Sequence, residues 1–349
     1  MKEELIQKMS LADADLADVG QAHGEVLDRF LPTEGPRANV VGVATGVKWT
    51  DGQPTGRPAV LVLVTHKVNP DALSPDDMVP ETIGNIPTDV LQVGQPMAGV
   101  GMLGAGTQSL KARSRPAMGG YSVGHFHITA GTIATGVYDI LPGGSTAPPA
   151  NGVGIPPRYY ILSNNHVLAD VNAGSVGDPI LQPGPFDGGT DPADRIATLS
   201  RFIPITLDPP VPRPQHRNVV DCAVAEVQFQ DLNRDVYWCG HVRGWRPKAG
   251  VTVGMVVQKT GRTTSFTTGR ITAINATVDV GYGGGRVGRL QDQIITTNMS
   301  AGGDSGSLVM TPDNIALGLL FAGSPVAMIA NQIENVRALL RVEVADQIL

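Results

Sequence analysis

The sequence is poor in several residue types, and each shortage excludes a class of protein. Cysteine occurs twice in 349 residues, at Cys222 and Cys239, which is too few for a disulfide scaffold. Charged residues make up 17% of the chain and the formal net charge is −6, so the basic footprint of a nucleic-acid binder is missing. No apolar run reaches the roughly 18 residues that a membrane span needs. We therefore expect no nucleic-acid and no membrane partner.

The N-terminus also lacks the features of an export signal. It reads Met1-Lys2-Glu3-Glu4-Leu5, which is acidic early and has no long apolar core after it. Together with the scarcity of cysteine, this start predicts a protein of the reducing cytoplasm.

Glycine and proline are abundant, with 43 and 27 residues, and apolar residues make up 42% of the chain. This richness favours many short strands joined by turns over long helices. Beyond residue 116, short β-branched and apolar runs recur between turn signals, for example at Thr132–Tyr138 and Tyr159–Ser163. The pattern predicts a mainly β fold of the barrel or sandwich type.

The first hundred residues have a different pattern. Apolar residues at helical spacing predict an amphipathic helix within residues 3–30, and two β-branched runs follow at Val40–Val47 and Val60–Val68. We predict a small α+β domain over residues 1–105, a Gly-, Ser- and basic-rich linker over 106–116, and a second domain over 117–349. The N-terminal domain holds no cluster of nucleophile, base or metal ligands, which favours a regulatory or assembly role. Its apolar helix makes a homo-oligomer plausible.

One octet, Gly302–Val309, carries the strongest chemical signal. It places Ser305 between glycines, with Asp304 before it and a strand-like apolar run after it. A serine on such a turn presents its hydroxyl outward, and the glycines let a substrate carbonyl approach the backbone. The N–H groups of Gly303 and Ser305 are then candidates to bind the oxygen that becomes negative during acyl transfer.

Two further segments supply the base and the acid that a serine nucleophile requires. His166 follows an apolar strand and a polar turn, and Asp221 stands at the entry to a second apolar strand. Histidine can take a proton from serine at neutral pH, and an aspartate can orient the imidazole. A lone histidine is more often a satisfied core residue, but the ordered combination of His166, Asp221 and Ser305 favours a catalytic triad.

These three motifs resemble those of the trypsin-like, chymotrypsin-fold serine peptidases, over roughly residues 117–345. The N-terminal extension is similar to that of bacterial relatives of the plant narrow-leaf serine protease. The resemblance implies a double β-barrel, with the triad in the cleft between the barrels and a protein or peptide as the substrate. Neither a metal nor an organic cofactor is implied.

The resemblance also implies roles for several neighbouring residues. Asp304 would hold the oxyanion loop in shape, and the weak match of the sequence after Arg115 to an activation site favours an enzyme that is competent without processing. The main chain of Phe321, Ala322 and Gly323 would pair with an extended peptide. Met299 would form an apolar floor for the specificity pocket, which predicts cleavage after a small or medium apolar residue.

Two other functions remain open at this point. A catalytically silent protein of the same fold would use the cleft to bind peptides or the N-terminal domain to assemble, and an esterase would use the same triad on another substrate. The Gly-rich segment Gly281–Gly288 is interpreted as a hairpin loop, and Val257–Thr264 as a hairpin with polar surface residues. Cys222 is interpreted as a small buried packing residue.

Overall fold

The structure, a computed structural model, describes residues 8, 11, 13–32, 37, 39–50, 53–98, 110–128, 130–140, 156 and 158–344. Most of the first ten residues of the predicted N-terminal helix, and residues 106–109 of the predicted linker, lie outside these ranges. The described residues form three α-helices and a larger number of strands, and none of these helices is long and apolar enough to cross a membrane. The predicted mainly β fold, with a helix and strands in the N-terminal part, is confirmed.

The helices are α1 (Asp13–Phe30), α2 (Asn165–Leu168) and α3 (Ile333–Leu340). The strands are β1 (Val40–Thr50), β2 (Gln53–Val64), β3 (Thr82–Ile83), β4 (Ile86–Gln92), β5 (Ala117–Gly119), β6 (Ser122–His125), β7 (Gly131–Thr132), β8 (Gly136–Asp139), β9 (Tyr159–Ser163), β10 (Pro179–Leu181), β11 (Arg195–Phe202), β12 (Ala223–Val227), β13 (Leu232–Val236), β14 (Gly244–Trp245), β15 (Val256–Gly261), β16 (Ser265–Gly281), β17 (Val287–Thr297), β18 (Leu308–Met310), β19 (Ile315–Gly323), β20 (Ala327–Gln332) and β21 (Val342–Glu343).

Two barrel-like sheets dominate the described part of the chain. In the first, β15, β18, β19, β20, β17 and β16 follow one another, and a pairing of β15 with β16 closes the circle. The second has the strand order β21-β8-β9-β12-β11-β10-β6-β7. Buried residues of both sheets, among them Leu162, Val224, Leu308 and Leu319, pack in one shared hydrophobic cluster. The two sheets therefore pack against each other through this cluster.

The long strand β16 joins the N-terminal part to the first barrel. Its residues 265–270 pair with β15, and its residues 273–278 pair with β1. Strands β2, β4 and β3 follow β1 in the same sheet, with β2 and β4 parallel. The sheet thus continues from the N-terminal strands into the barrel, while the division of the chain at residues 106–116 stays a prediction.

Helix α1 covers one face of these N-terminal strands. Val19, Val26 and Phe30 are fully buried and pack with Val43 and Val60 of the sheet. Their spacing of seven and four residues puts them on one stripe of the helix, which is the signal that predicted a helix from the sequence. Burying a side chain of this size contributes about 1.5–3 kcal/mol.

One predicted strand is wrong in a way that matters for the site. Thr132–Tyr138 was expected to be continuous, but β7 ends at Thr132 and β8 begins at Gly136. Thr132 is fully buried and makes contacts with the serine loop instead: its N–H donates to Ser305 O at 2.7 Å, and its hydroxyl donates to Gly303 O at 2.9 Å. Directly after Thr132 the backbone changes partner, because Ile133 N–H donates to Tyr121 O and Ala134 N–H donates to Leu162 O, both at 2.9 Å.

His23 on α1 gives the N-terminal part a pH-dependent stability. Its Nδ1 lies 3.0 Å from Asn275 Nδ2 on β16, and burial lowers the pKa of the imidazole from 6.5 to about 4. Below pH 6.5 the unfolded chain takes up a proton that the folded chain does not, so stability falls as the pH drops from 6.5 towards 4. The full difference corresponds to about 3 kcal/mol.

We expect His23→Gln to remove this part of the pH dependence. Urea unfolding at pH 7 and pH 4.5 measures it, because the difference between wild type and variant cancels the titration of other groups. The exposed His66, replaced by glutamine, is the matched control. An equal loss of stability on acidification in the wild type and in His23→Gln would contradict the expectation.

Candidate active site

Ser305 lies in a tight turn between β17 and β18. Gly303 and Gly306 have φ angles of 92° and 98°, which L side chains rarely adopt. A Cβ at Gly306 would also lie 2.1 Å from both Ser163 Oγ and Thr132 O, so no larger residue fits there. The turn is thereby fixed against the second sheet. Ser305 Oγ donates to Phe321 O at 3.5 Å, a long hydrogen bond that leaves the hydroxyl weakly held.

His166 and Asp221 come together because β9 and β12 are antiparallel neighbours. Ser163 pairs with Ala223, and α2 begins just after β9, so the imidazole is delivered beside the carboxylate. His166 Nδ1 lies 2.6 Å from Asp221 Oδ2, and the His166 N–H donates to Oδ1 at 3.2 Å. Nε2 of the same ring is buried and, among the described residues, has no hydrogen-bond partner. One imidazole nitrogen is thus held, while the other is left for a further contact.

Asp221 is fully buried and is held by three more hydrogen bonds from distant parts of the chain. Its N–H donates to Asn331 Oδ1 at 3.0 Å, and its carbonyl oxygen accepts from Asn164 Nδ2 at 2.7 Å. The hydroxyl of Tyr282 donates to Oδ2 at 3.1 Å. Burial has the largest effect on the pKa of Tyr282, and the charge of Asp221 has the second largest. Both raise this pKa well above its ordinary value, so the hydroxyl keeps its proton.

Tyr282 was missed by the sequence reasoning. The hairpin predicted at Gly281–Gly288 is present, since β16 ends at Gly281 and β17 begins at Val287. The glycines of this loop predict the hairpin, but they indicate no role for the tyrosine among them. A single aromatic residue in a Gly-rich turn does point to burial, but no feature of the sequence names Asp221 as its partner.

Asp304, next to the serine, is paired with a buried lysine. Lys259 Nζ lies 3.0 Å from Asp304 Oδ2, and both side chains are completely shielded from solvent. Oδ2 also accepts from the Thr264 hydroxyl at 2.6 Å and from the Ala301 N–H at 3.0 Å, while Oδ1 accepts from the Thr263 N–H at 2.9 Å. Burial lowers the pKa of Lys259 and the nearby Asp304 charge opposes that shift. The carboxylate thus ties the serine loop to the β15–β16 turn.

The interpretation of Val257–Thr264 as a hairpin with polar surface residues is wrong for this lysine. The segment does form the β15–β16 hairpin, but residues 257–261 are buried. Both faces of the strand are covered over these residues, and Lys259 points to Asp304. The burial of this lysine therefore follows from its distant partner and not from the alternation of the strand.

The amides predicted to bind an oxyanion are available in this structure. Among the described residues, neither Gly303 N–H nor Ser305 N–H has an acceptor. The Arg262 guanidinium packs against Gly303, where a Cβ would lie 2.8 Å from Cζ. This contact and the Thr132 hydrogen bond to Gly303 O hold the chain between the two amides.

The residues predicted to bind substrate lie on β19 and beside it. Phe321, Ala322 and Gly323 form the end of β19, directly beside Ser305. Met299 is buried within an apolar cluster, and its Sδ would lie 2.7 Å from a Cβ at Gly269. Gly323 is already engaged, because it exchanges two backbone hydrogen bonds of 3.2 Å with Met97.

The two cysteines are not members of this cluster, although Cys222 directly follows Asp221 in the chain. Cys222 and Cys239 are free thiols, and the interpretation of Cys222 as a buried packing residue is confirmed. Burial, and to a smaller extent the charge of Asp221, raises the pKa of Cys222 well above its ordinary value. A thiol of this kind is inert rather than reactive.

Two comparisons match parts of this chain to known proteins. Residues 23–91 match the family model of the NARROW LEAF 1 N-terminal domain. A stretch of 71 residues, 20% of the chain, is 42% identical to glutamyl endopeptidase 2 from Streptomyces griseus. The match spans 35% of the length of that protein.

Solved structures that this chain partly resembles include Thermobifida fusca protease A and Cellulomonas bogoriensis chymotrypsin. The identities are 18% for both, with 65% and 66% of this chain covered, 97% and 98% of those chains covered, and TM-scores of 0.43 and 0.42. Similarity at this level carries no argument. The sequence matches nevertheless confirm the resemblance of this chain to the trypsin-like serine peptidases and, in its N-terminal part, to the narrow-leaf type.

Proposed function

We propose that the protein is a serine endopeptidase that hydrolyses peptide bonds through Ser305, His166 and Asp221. The observation that supports this most is the state of the imidazole: Nδ1 is held 2.6 Å from a buried carboxylate, while the buried Nε2 has no partner among the described residues. A buried nitrogen without a partner costs free energy, which is tolerated where a catalytic contact is to be made. A protein that merely binds peptides has no use for such an arrangement.

The chemistry follows from these positions. Ser305 Oγ attacks the substrate carbonyl carbon while His166 Nε2 accepts the hydroxyl proton, and Asp221 stabilises the resulting imidazolium. The carbonyl oxygen, now negative, is bound by the amides of Gly303 and Ser305. His166 returns the proton to the leaving amine, which gives an acyl-enzyme. Water then attacks the ester by the same steps and releases the acid.

The pairing of Asp304 with Lys259 supports an enzyme that needs no proteolytic activation. The serine loop requires a buried cation opposite Asp304 to keep its shape, since an unpaired buried carboxylate is costly. Lys259 supplies that cation from within the folded chain. Cleavage after Arg115 would then be unnecessary for activity.

For the substrate, we propose cleavage after a small or medium apolar residue. This proposal is supported by the burial of Met299 in an apolar cluster, because a pocket with such a floor would leave a buried charge unpaired. The name of the Streptomyces griseus relative suggests glutamate as the contrasting preference. A peptide library read by mass spectrometry separates the two, and a profile dominated by Glu, Arg or Lys would overturn the apolar assignment.

The same library tests the function itself. We expect cleavage by the wild type and none by Ser305→Ala or His166→Ala. A folded wild-type protein that cleaves no peptide, but still binds some, would instead favour a catalytically silent peptide-binding protein, and hydrolysis confined to ester substrates would favour an esterase.

Assembly into a homo-oligomer through the N-terminal part stays a prediction, which light scattering checks. A cytoplasmic location also stays a prediction.

A further inference from the structure

A short segment of the protein's own chain occupies the edge of β19 next to the candidate active site. Met97 and Gly323 are antiparallel partners: Met97 N–H donates to Gly323 O, and Gly323 N–H donates to Met97 O, both at 3.2 Å. Gly323 meets its other neighbour, β20, along the opposite edge of the strand. Met97 therefore fills the edge that is proposed to receive a peptide.

The register shows which substrate residue Met97 displaces. Under the proposed function, the residue before the scissile bond lies opposite Phe321, whose carbonyl oxygen is 3.5 Å from Ser305 Oγ. In an antiparallel pair, the positions that hydrogen-bond to the neighbouring strand alternate, so the next such position on β19 is Gly323. A substrate would place its third residue before the scissile bond there. Met97 makes both hydrogen bonds that this residue would make.

The segment is firmly built into the fold. Gly281 N–H donates to Pro96 O at 3.2 Å, and Ala98 N–H donates to Gly281 O at 3.1 Å, so residues 96–98 are held between Gly281 and Gly323. Val93, at the start of the segment, is buried, and its N–H donates to Val64 O at 2.8 Å while its carbonyl oxygen accepts from the Ser324 hydroxyl. Because its backbone is hydrogen-bonded on both sides, the segment is a fixed part of the cleft rather than a loosely docked peptide.

We propose that residues 93–98 close the far end of the cleft, so that a substrate pairs with β19 through no more than two residues before the scissile bond. The proposal rests on the proposed function and adds its substrate class. Main-chain pairing supplies much of the affinity for an extended peptide. Here the substrate's third residue before the scissile bond cannot pair with β19, because Met97 already does so. The suitable substrates are peptides with a short amino-terminal side, or chains that bend away from β19 after the second residue.

A series of acetylated peptide p-nitroanilides with one to four residues, all ending in the same apolar residue, tests the proposal in the full-length protein. For the wild type we expect kcat/KM to rise from one residue to two and then to stay level. Met97→Pro/Ala98→Pro lacks the donors to Gly323 O and Gly281 O. In this variant a third residue is expected to raise kcat/KM by about tenfold, the effect of one or two regained hydrogen bonds.

Met97→Ala is the matched control, because it retains both backbone hydrogen bonds and should keep the wild-type profile. A small fluorophosphonate, which does not need β19, reports at the same time whether each variant keeps a folded site. A tenfold gain from the third residue in the wild type would overturn the proposal, as would a level profile in a labelled double variant. Should the double variant fail to label, the wild-type series decides alone. Absence of hydrolysis for every length would overturn the proposed function instead.

Discussion

Lys259→Met is expected to abolish most of the proposed peptidase activity and to lower the free energy of unfolding by about 3–5 kcal/mol. The substitution keeps an unbranched side chain, one atom shorter, but removes the cation 3.0 Å from Asp304 Oδ2, in a place with no access to solvent. The carboxylate is then a buried charge without a counterion. The serine loop must rearrange to hydrate it, which displaces the Gly303 and Ser305 amides. Loss of an oxyanion donor costs about 10²–10³ in kcat.

Lys248 provides a control with the same chemistry in a different environment. Its Nζ also lies 3.0 Å from an aspartate oxygen, that of Asp292, but the lysine side chain is 50% exposed. Exposed pairs contribute about 0–1 kcal/mol, so Lys248→Met should leave both stability and activity nearly unchanged. Urea unfolding and peptide hydrolysis of the two variants make the comparison. Equal, small effects in both would show that the buried pair does not shape the loop.

Asp221→Asn is expected to lower kcat by about 10⁴, the size of effect known for the corresponding change in a serine peptidase. An asparagine amide presents a donor or an acceptor to His166 Nδ1 without the charge that stabilises the imidazolium. Tyr282→Phe removes a single hydrogen bond of 3.1 Å to the same carboxylate. A hydrogen bond to a charged group contributes about 1.5–3 kcal/mol, so we expect a loss of about 10–100-fold in kcat.

Both variants should lower kcat and leave KM little changed, and the loss should be larger in Asp221→Asn than in Tyr282→Phe. Tyr121→Phe serves as the control, because Tyr121 packs edge-on against Tyr237, 5.8 Å between ring centroids, and stands apart from Asp221. Steady-state kinetics across a pH range gives the readout, since a purely structural role for Tyr282 would not move the pH profile. An unchanged kcat and an unchanged profile in Tyr282→Phe would remove it from the site.

Much of the architecture was accessible from local patterns in the sequence. The helical spacing of Val19, Val26 and Phe30 indicated α1, and the β-branched runs indicated β1 and β2. The residues His166 and Asp221 were singled out because each follows or opens an apolar strand, and the structure places them in contact. Such signals are local in the chain, so periodicity and turn residues carry them.

The features that were missed all depend on partners far away in the chain. In its local sequence Lys259 is one more polar residue of a turn, and only its contact with Asp304 distinguishes it. The local sequence also indicates no role for Tyr282, whose hydroxyl donates to Asp221. Met97 lies more than 200 residues from Gly323, and nothing in its own neighbourhood indicates that it pairs there. Pairing across a closed barrel is a property of the topology, which local propensity does not encode.

The nucleophilic role of Ser305 in the unprocessed chain is tested most directly by reaction with a fluorophosphonate. The readout is the intact mass of the 349-residue chain, followed by peptide mapping. We predict one adduct, on Ser305, that disappears in Ser305→Ala and falls sharply in His166→Ala, with the chain still uncleaved. A folded, unprocessed protein that takes up no adduct, or an adduct that persists in Ser305→Ala, would contradict the account.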